Sequence, residues 1–273
     1  MSITSSYTGP RAISYLFIDG AYLREVLERF KMDIFDGILV PVNYSALSGG
    51  HTKVFYYDCP PIKKAQETDE TFEVRESDQV RFHQTLRKLR GWHIYEGVIK
   101  GTGRRARQKE VDILIAVDML THAYRRNMHS VTFIAGDQDF RPLVDALVRD
   151  GMFIELMYDP RSISKELADA ADARRILDPY LIFQWLDESF KKTHPLPERY
   201  AAKDKKTFLT PPIETAETDF GLVELFYDEG KYVISHPYPD LSEHFLITSH
   251  SDIDFLKRVY EQIYGRFDWK SNV

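Results

Sequence analysis

The sequence of 273 residues contains a single cysteine, Cys59. One cysteine excludes a disulfide framework and a cysteine-rich zinc site, and it fits a reducing compartment. Long apolar runs are also missing, since none approaches the roughly 20 residues that a membrane helix needs. The first residues lack the apolar core of a secretory signal. We therefore expect a soluble, cytoplasmic protein with no membrane partner.

An excess of positive charge is absent as well. The chain has 36 lysines and arginines against 42 acidic residues, which gives a formal net charge of −6. This balance excludes a protein that coats nucleic acid by bulk charge, although it leaves room for a local basic patch. What the chain does contain is apolar material for a packed core, with 43% hydrophobic and 13% aromatic residues.

The order of apolar patterns indicates the fold class. Short, nearly continuous apolar runs at 13–18, 53–58 and 131–135 predict buried strands. Helical patterns lie between them, and the largely apolar stretch 111–126 predicts a buried helix. Alternating strands and helices predict an α/β fold with a mostly parallel sheet and helices on both faces.

The composition changes after the last of these helices. We predict a main domain over 1–185 and a linker or extended strap over 186–220, where prolines and charges replace the periodic pattern. A small C-terminal α+β appendage over 221–273 follows, with a β-hairpin and a helix. About 50 residues are few for an independent domain, so we expect the appendage to dock on the main domain or to form a homodimer contact.

Four acidic residues follow the predicted strands or begin the buried helix. Asp19 ends the first strand, Asp137 and Asp139 follow the strand at 131–135, and Asp112 begins the helix. Open α/β sheets place their ligands at the carboxyl edge, where these residues belong. Each is also compatible with a structural role in a turn or helix cap. Together they predict a site of oxygen ligands for Mg²⁺ or Mn²⁺ and metal-assisted hydrolysis of phosphodiesters.

Three motifs carry a resemblance to a known family. They are Phe17-Ile-Asp19-Gly20, Lys109-Glu-Val-Asp112 and Gly136-Asp-Gln-Asp139-Phe-Arg-Pro-Leu143. In this order they resemble the NYN domain, in the LabA-like branch of the PIN-like nucleases, over roughly 13–177. The resemblance implies a Rossmann-like three-layer α/β/α fold, ribonuclease activity and a metal site at Asp19, Asp112, Asp137 and Asp139. The family's first motif usually has asparagine three residues after its aspartate, and this chain has Tyr22 there.

Further charged residues accompany the four acids in the sequence. Basic side chains near the acids are candidates for binding RNA or another nucleic acid, with a solvated loop as the alternative: Arg105, Arg107, Lys109 and Arg141. Asp118 lies on the buried helix but not on the face of Asp112, which favours a supporting role. Asp58 ends the second strand, and we interpret it as a turn residue.

The sequence is compatible with three functions. The first is a metal-dependent endoribonuclease. The second is a non-catalytic nucleic-acid-binding or scaffold protein that has kept the fold, which Tyr22 and the modest basic content favour. The third is a phosphatase with an aspartate nucleophile, which ranks last because such enzymes need a second acid where this chain has Ala21.

Overall fold

The structure is a computed structural model. It describes residues 13–100, 107–109, 111–203, 208, 210–219, 221–238 and 244–271. The chain divides into two units, the first made of 1–28 and 43–177 and the second of 29–42 and 178–273. Within the described residues, no helix is both long and apolar enough to cross a membrane.

The first unit is built on a parallel sheet of six strands. The strands are β1 (Ser14–Asp19), β2 (Lys53–Asp58), β3 (Trp92–Glu96), β6 (Ser130–Ile134), β7 (Phe153–Tyr158) and β8 (Ala173–Ile176). Their order in the sheet is β3-β2-β1-β6-β7-β8. Strands β2 and β3 therefore lie on one side of β1, and β7 and β8 lie on the far side of β6. The two central strands form the switch point at which such sheets bind ligands.

Helices cover the sheet on both faces. They are α1 (Gly20–Phe35), α2 (Tyr44–Leu47), α3 (Asp69–Arg87), α4 (Val111–Tyr124), α5 (Arg141–Arg149) and α6 (Lys165–Ala170). Successive residues of β1, from Tyr15 to Ile18, are all buried, although neighbouring side chains on a strand point to opposite faces. The predicted three-layer α/β/α fold is therefore confirmed. A small hairpin of β4 (Val98–Lys100) and β5 (Arg107–Lys109) precedes α4.

The elements of the second unit are α7 (Pro179–Gln184), α8 (Glu188–Thr193), β9 (Glu198–Lys203), β10 (Glu214–Thr218), β11 (Gly221–Asp228), β12 (Lys231–Pro237), β13 (His244–His250), α9 (Ile253–Tyr264) and β14 (Lys270–Ser271). The six strands form an antiparallel sheet in the order β14-β10-β11-β12-β13-β9. Leu256 and Tyr260 of α9 pack on one face of this sheet. Phe208 stacks on Phe226 on the other face, with a ring separation of 3.9 Å.

The segment 186–220 differs from the predicted linker. It contains α8 and two strands of the second sheet, β9 and β10. The sequences of these strands, ERYAAK and ETAET, have no apolar alternation, and β9 lies at the edge of the sheet. Charged edge strands resemble linkers in composition, because one side of the strand has no neighbour to bury it. The C-terminal unit is consequently larger than the appendage predicted over 221–273.

Helix α4 is only partly buried, whereas the sequence predicted a buried helix over 111–126. Ile115, Met119 and Ala123 lie in the core. On the other side, Ile113 is 65%, Val117 53% and Tyr124 68% exposed. A continuous apolar sequence gives no periodic signal, so the pattern did not reveal that one face of this helix is open to solvent.

Candidate active site

Asp19 lies at the carboxyl end of β1, where the strand passes directly into α1. Its Oδ1 accepts hydrogen bonds from the backbone N–H groups of Ala21 (3.0 Å) and Tyr22 (3.1 Å). Burial raises the pKa of Asp19 to about 6, and the charges of Asp112 and Asp58 act in the same direction against these two hydrogen bonds. Asp19 is therefore a fixed carboxylate in an environment that disfavours its negative charge.

Asp112, Asp137 and Asp139 form the rest of an acidic cluster. Asp112 lies in the first turn of α4, and its pKa is raised by burial and then by the charges of Asp137 and Asp139. Asp137 follows β6 and caps a short 3-10 turn, its Oδ1 accepting the N–H of Asp139 at 3.0 Å. Asp112 thus interacts electrostatically with acids at the ends of both central strands.

The cluster fits a hard divalent cation in its chemistry. All four candidate ligands are carboxylates, the ligand type that Mg²⁺ and Mn²⁺ prefer. Burial raises the pKa of Asp19 and Asp112, repulsion from neighbouring acids adds to both shifts, and a cation at the cluster would relieve that repulsion. In the described part of the chain, no three His, Cys, Asp or Glu side chains stand close enough to hold one ion together. Coordination by this cluster would therefore require side-chain rotation.

Tyr22 occupies the position at which the resemblance expects asparagine. Its side chain is buried, and its hydroxyl accepts the backbone N–H of Asp159 at 2.8 Å, at the end of β7. The ring also lies against Gly136, the residue before Asp137. Tyr22 thereby connects the segments that follow three strands of the sheet, β1, β6 and β7.

Gly136 is required by this close packing. A Cβ at this position would lie 2.3 Å from both the carbonyl oxygen of Ser162 and a ring carbon of Tyr22. We expect Gly136→Ala to lower the free energy of unfolding by about 1–3 kcal/mol, because the backbone around Asp137 must shift. Thermal unfolding of the two proteins measures this. A suitable control is Gly151→Ala, where the φ of +86° carries a strain of about 1 kcal/mol in open space. A smaller effect at Gly136 than at Gly151 would contradict the packing argument.

The structure describes only some of the predicted nucleic-acid-binding residues. Arg141 begins α5, is about half exposed, and has its Nε 3.6 Å from Oδ2 of Asp145. Arg107 and Lys109 belong to β5, but their side chains lie outside the described part of the structure. Arg105 lies wholly outside the described residues.

Asp58, interpreted as a turn residue from the sequence, is the centre of a buried polar network. It is 1% exposed and accepts hydrogen bonds from the Arg24 guanidinium, the Gln79 amide (2.7 Å), a ring nitrogen of His83 (3.1 Å) and the Cys59 N–H (2.8 Å). Burial alone would raise the pKa of Asp58, but the hydrogen bonds from these side chains hold it below its ordinary value. The sequence offers one signal of this role, because Asp58, like Asp19, is the last residue of a buried strand.

Asp118 has a supporting contact. The hydroxyl of Tyr57, at the end of β2, donates a hydrogen bond of 2.8 Å to Oδ2 of Asp118. This contact joins α4 to the sheet beneath it and gives Asp118 the partner that a carboxylate in an apolar helix needs.

Comparison with known proteins adds to this geometry. A profile of the NYN domain matches residues 15–178, which is more than half of the chain and includes the whole acidic cluster. The chain belongs to the NYN domain family. Membership indicates a PIN-like, nuclease-like domain, and such nucleases usually use divalent metal ions. No curated protein matches the chain.

Solved structures resemble this NYN protein only distantly. A protein of unknown function from Vibrio parahaemolyticus matches 64% of this chain and 96% of its own, with 17% identity and a TM-score of 0.45. Polyphosphate kinase from Porphyromonas gingivalis matches 94% of this chain and 46% of its own, with 12% identity and a TM-score of 0.17. Neither similarity contributes to the assignment of a function.

Proposed function

We propose that this NYN protein is a metal-dependent endoribonuclease of the LabA-like branch. The observation that supports the proposal is the position of Asp19, Asp112 and the Asp137/Asp139 pair at the carboxyl ends of the two central strands and the start of α4, where their charges interact. The two backbone N–H groups on Oδ1 hold the Asp19 carboxylate in one orientation. The short 3-10 turn holds Asp137 beside Asp139. Carboxylates at one edge of the sheet, once rotated onto a shared ion, are what a metal-assisted hydrolase needs.

Each group has a part in the proposed reaction. Asp19, Asp112, Asp137 and Asp139 would hold Mg²⁺ or Mn²⁺, which supplies an electrophile for the phosphodiester and activation of the attacking water. Arg141, half exposed and two residues after Asp139 in the sequence, would attract a phosphate of the RNA strand. The other predicted basic residues, Arg105, Arg107 and Lys109, precede Asp112 in the sequence and stay candidates for the same role.

The test is cleavage of labelled single-stranded and structured RNA by the full chain. We expect turnover with Mn²⁺, none with a chelator, and a loss of at least about 100-fold in Asp137→Asn, since the lost interaction is worth several kcal/mol. Asp150→Asn, at the far end of α5, should cleave like the parent protein. The proposal fails if RNA stays intact in all of these proteins.

A second function, non-catalytic binding of nucleic acid, is favoured by Tyr22. Its hydroxyl contacts the backbone at Asp159 instead of supplying the short amide that the family usually has near its acids. RNA bound equally well with and without metal, and left uncut, would support this alternative. Strictly metal-dependent turnover would exclude it.

A further inference from the structure

Aromatic rings form two rows across the sheet of the first unit, on the face that α4 covers. In one row Phe17, Phe55 and His93 lie side by side, with ring centroids 4.8 and 5.1 Å apart and interplanar angles of 10° and 21°. In the next row Tyr57 and Tyr95 stack at 5.3 Å and 15°. Stacked residues are also paired in the strand register, so the ring planes face along each row.

The two rows end at His93 and Tyr95, at the edge of the sheet. Among the described strands of this sheet β3 is outermost, so no strand lies beyond these two rings. Tyr95 is 38% exposed, and His93 is partly exposed. In the described part of the chain, both rings contact other rings only on their inner side, at Phe55 and Tyr57. Their outer faces are therefore open to a planar ligand.

Flat, uncharged rings at this spacing suit nucleobases. His93 and Tyr95 are two residues apart on one strand, about 6.8 Å, which is twice the separation of stacked bases in a duplex. Two neighbouring bases reach both rings only when they are splayed apart, which is the state in which proteins read single strands. Burial and then the charge of Lys53 lower the pKa of His93, so its ring is neutral at neutral pH.

The row that ends at Tyr95 begins at the acidic cluster. In the strand register Asp19 pairs with Tyr57, and Tyr57 pairs with Tyr95. Two strand spacings, about 10 Å, therefore separate the backbones of Asp19 and Tyr95. A base on Tyr95 leaves the backbone of the same nucleic-acid strand within reach of the acids. Glu96, the next residue, points to the opposite face and pairs with Arg87 at 2.6 Å.

Positive charge lies at the other end of the rows. Lys53 begins β2, about 13 Å along the strand from Tyr57. Arg125 follows α4 and is exposed. Burial lowers the pKa of His122, and the charges of Lys53 and Arg125 act in the same direction against that of Asp118, so both cations lie near this ring. Neither cation forms an ion pair with another described residue. Both are therefore available to phosphates.

We propose that the outer faces of His93 and Tyr95 stack bases of a single-stranded RNA, and that Lys53 and Arg125 bind its phosphates farther along β3. We call these four residues the stacking track. The track deepens the proposed ribonuclease function and rests on it for the choice of RNA as the ligand. Binding can be measured without cleavage, so the two proposals can fail separately.

Binding of a single-stranded oligouridylate that carries one 2-aminopurine tests the stacking. The full chain is used with a chelator, so that affinity is measured without turnover. Tyr95→Leu should weaken binding about 5- to 100-fold and reduce the quenching of 2-aminopurine, because stacking on one aromatic side chain is worth about 1–3 kcal/mol. Tyr95→Phe should bind and quench like the parent protein, since the Tyr95 hydroxyl has no hydrogen bond to another described residue.

The matched control is Tyr227→Leu. It removes a tyrosine that is 48% exposed and contacts Tyr232 in the second sheet, and it should bind RNA like the parent protein. His93→Leu repeats the test at the second ring, should Tyr95→Leu fail to fold in a thermal unfolding experiment. Equal affinity of the parent and a folded ring variant, equal losses in that variant and Tyr227→Leu, or a parent protein that binds no RNA would each overturn the track.

Salt dependence tests the phosphate contacts. Lys53→Met and Arg125→Gln should each reduce the slope of log affinity against log salt concentration by about 0.7, the value for one phosphate contact on a single strand. Arg149→Gln, at the end of α5, should leave the slope unchanged. Parent slopes in both track variants would overturn this half of the proposal. RNA that is stacked but left uncut with Mn²⁺ would instead contradict the ribonuclease function and support the track.

Discussion

Asp58→Ala is expected to lower the free energy of unfolding of the first unit by about 3–5 kcal/mol. The Asp58 carboxylate is fully buried at the end of β2 and accepts hydrogen bonds from Arg24, Gln79 and His83. Alanine would leave these donors without their acceptor, and His83 is itself only 2% exposed. The Arg24 side chain is 43% exposed and can turn to water, whereas the His83 side chain is only 3% exposed and would keep an unpaired ring nitrogen.

Native-state hydrogen exchange of the β1 and β2 amides measures this effect in the first unit by itself. The matched control is Asp169→Ala, which removes a carboxylate 52% exposed and 2.9 Å from Arg174. We expect a loss of about 0–1 kcal/mol there. Because the pKa of Asp58 is held below its ordinary value, its contribution is present at neutral pH and declines in acid. Similar losses in the two variants would show that the buried network contributes little.

Asp19→Asn is expected to have opposite effects on the metal-free and the metal-loaded protein. A pKa of about 6, against an ordinary value of 3.8, means that the folded state binds the Asp19 proton more tightly than the unfolded chain does. The contribution of Asp19 to the free energy of unfolding is therefore fully present at low pH, and it is lost as the pH rises through about 6. Asparagine cannot ionise, so the metal-free variant should be more stable than the parent at pH 8 by about 2–3 kcal/mol. At pH 4 the difference should nearly vanish.

Adding Mn²⁺ at pH 8 should make the parent protein more stable than Asp19→Asn. A bound ion stabilises the parent protein by about 4.1 kcal/mol when its concentration is 1,000 times the dissociation constant, which exceeds the deficit of about 2–3 kcal/mol at pH 8. The variant has lost one carboxylate of the cluster and should gain far less. Thermal unfolding at pH 4 and pH 8, with and without Mn²⁺, measures all of these differences. Asp150→Asn should follow the parent in every condition, and a parent protein indifferent to Mn²⁺ would remove the basis for a metal site.

The central strands and the position of the acids could be predicted from the sequence because both leave a local pattern. Strands buried on both faces are nearly continuous apolar runs, and β1 and β6 each end at or just before an aspartate. In a parallel sheet, consecutive strand ends meet at one edge, so Asp19 and Asp137 lie at the ends of neighbouring strands. The order of strands and helices then sufficed to predict the three-layer fold.

Other features depend on contacts that no local pattern records. Asp58 receives its hydrogen bonds from residues about 20 and 25 positions later, so its burial becomes visible only once α3 is packed. The open face of α4 was hidden because a continuous apolar helix shows no periodicity. Strands β9 and β10 are polar, and their partners in the second sheet, not their own composition, define them.

Helix α1, which directly follows Asp19, also determines where the polypeptide can be divided. Its first turns, up to Glu28, belong to the first unit, while Arg29–Phe35 belong to the second, where the ring of Phe35 lies 5.1 Å from that of Phe190. Pro41 and Val42 likewise pair with Asp187 and Leu186. A fragment excised to the span shared with relatives, 15–178, would therefore keep residues 29–42 while discarding what covers them. The span that matches the family and the units that pack together therefore have different boundaries in this polypeptide.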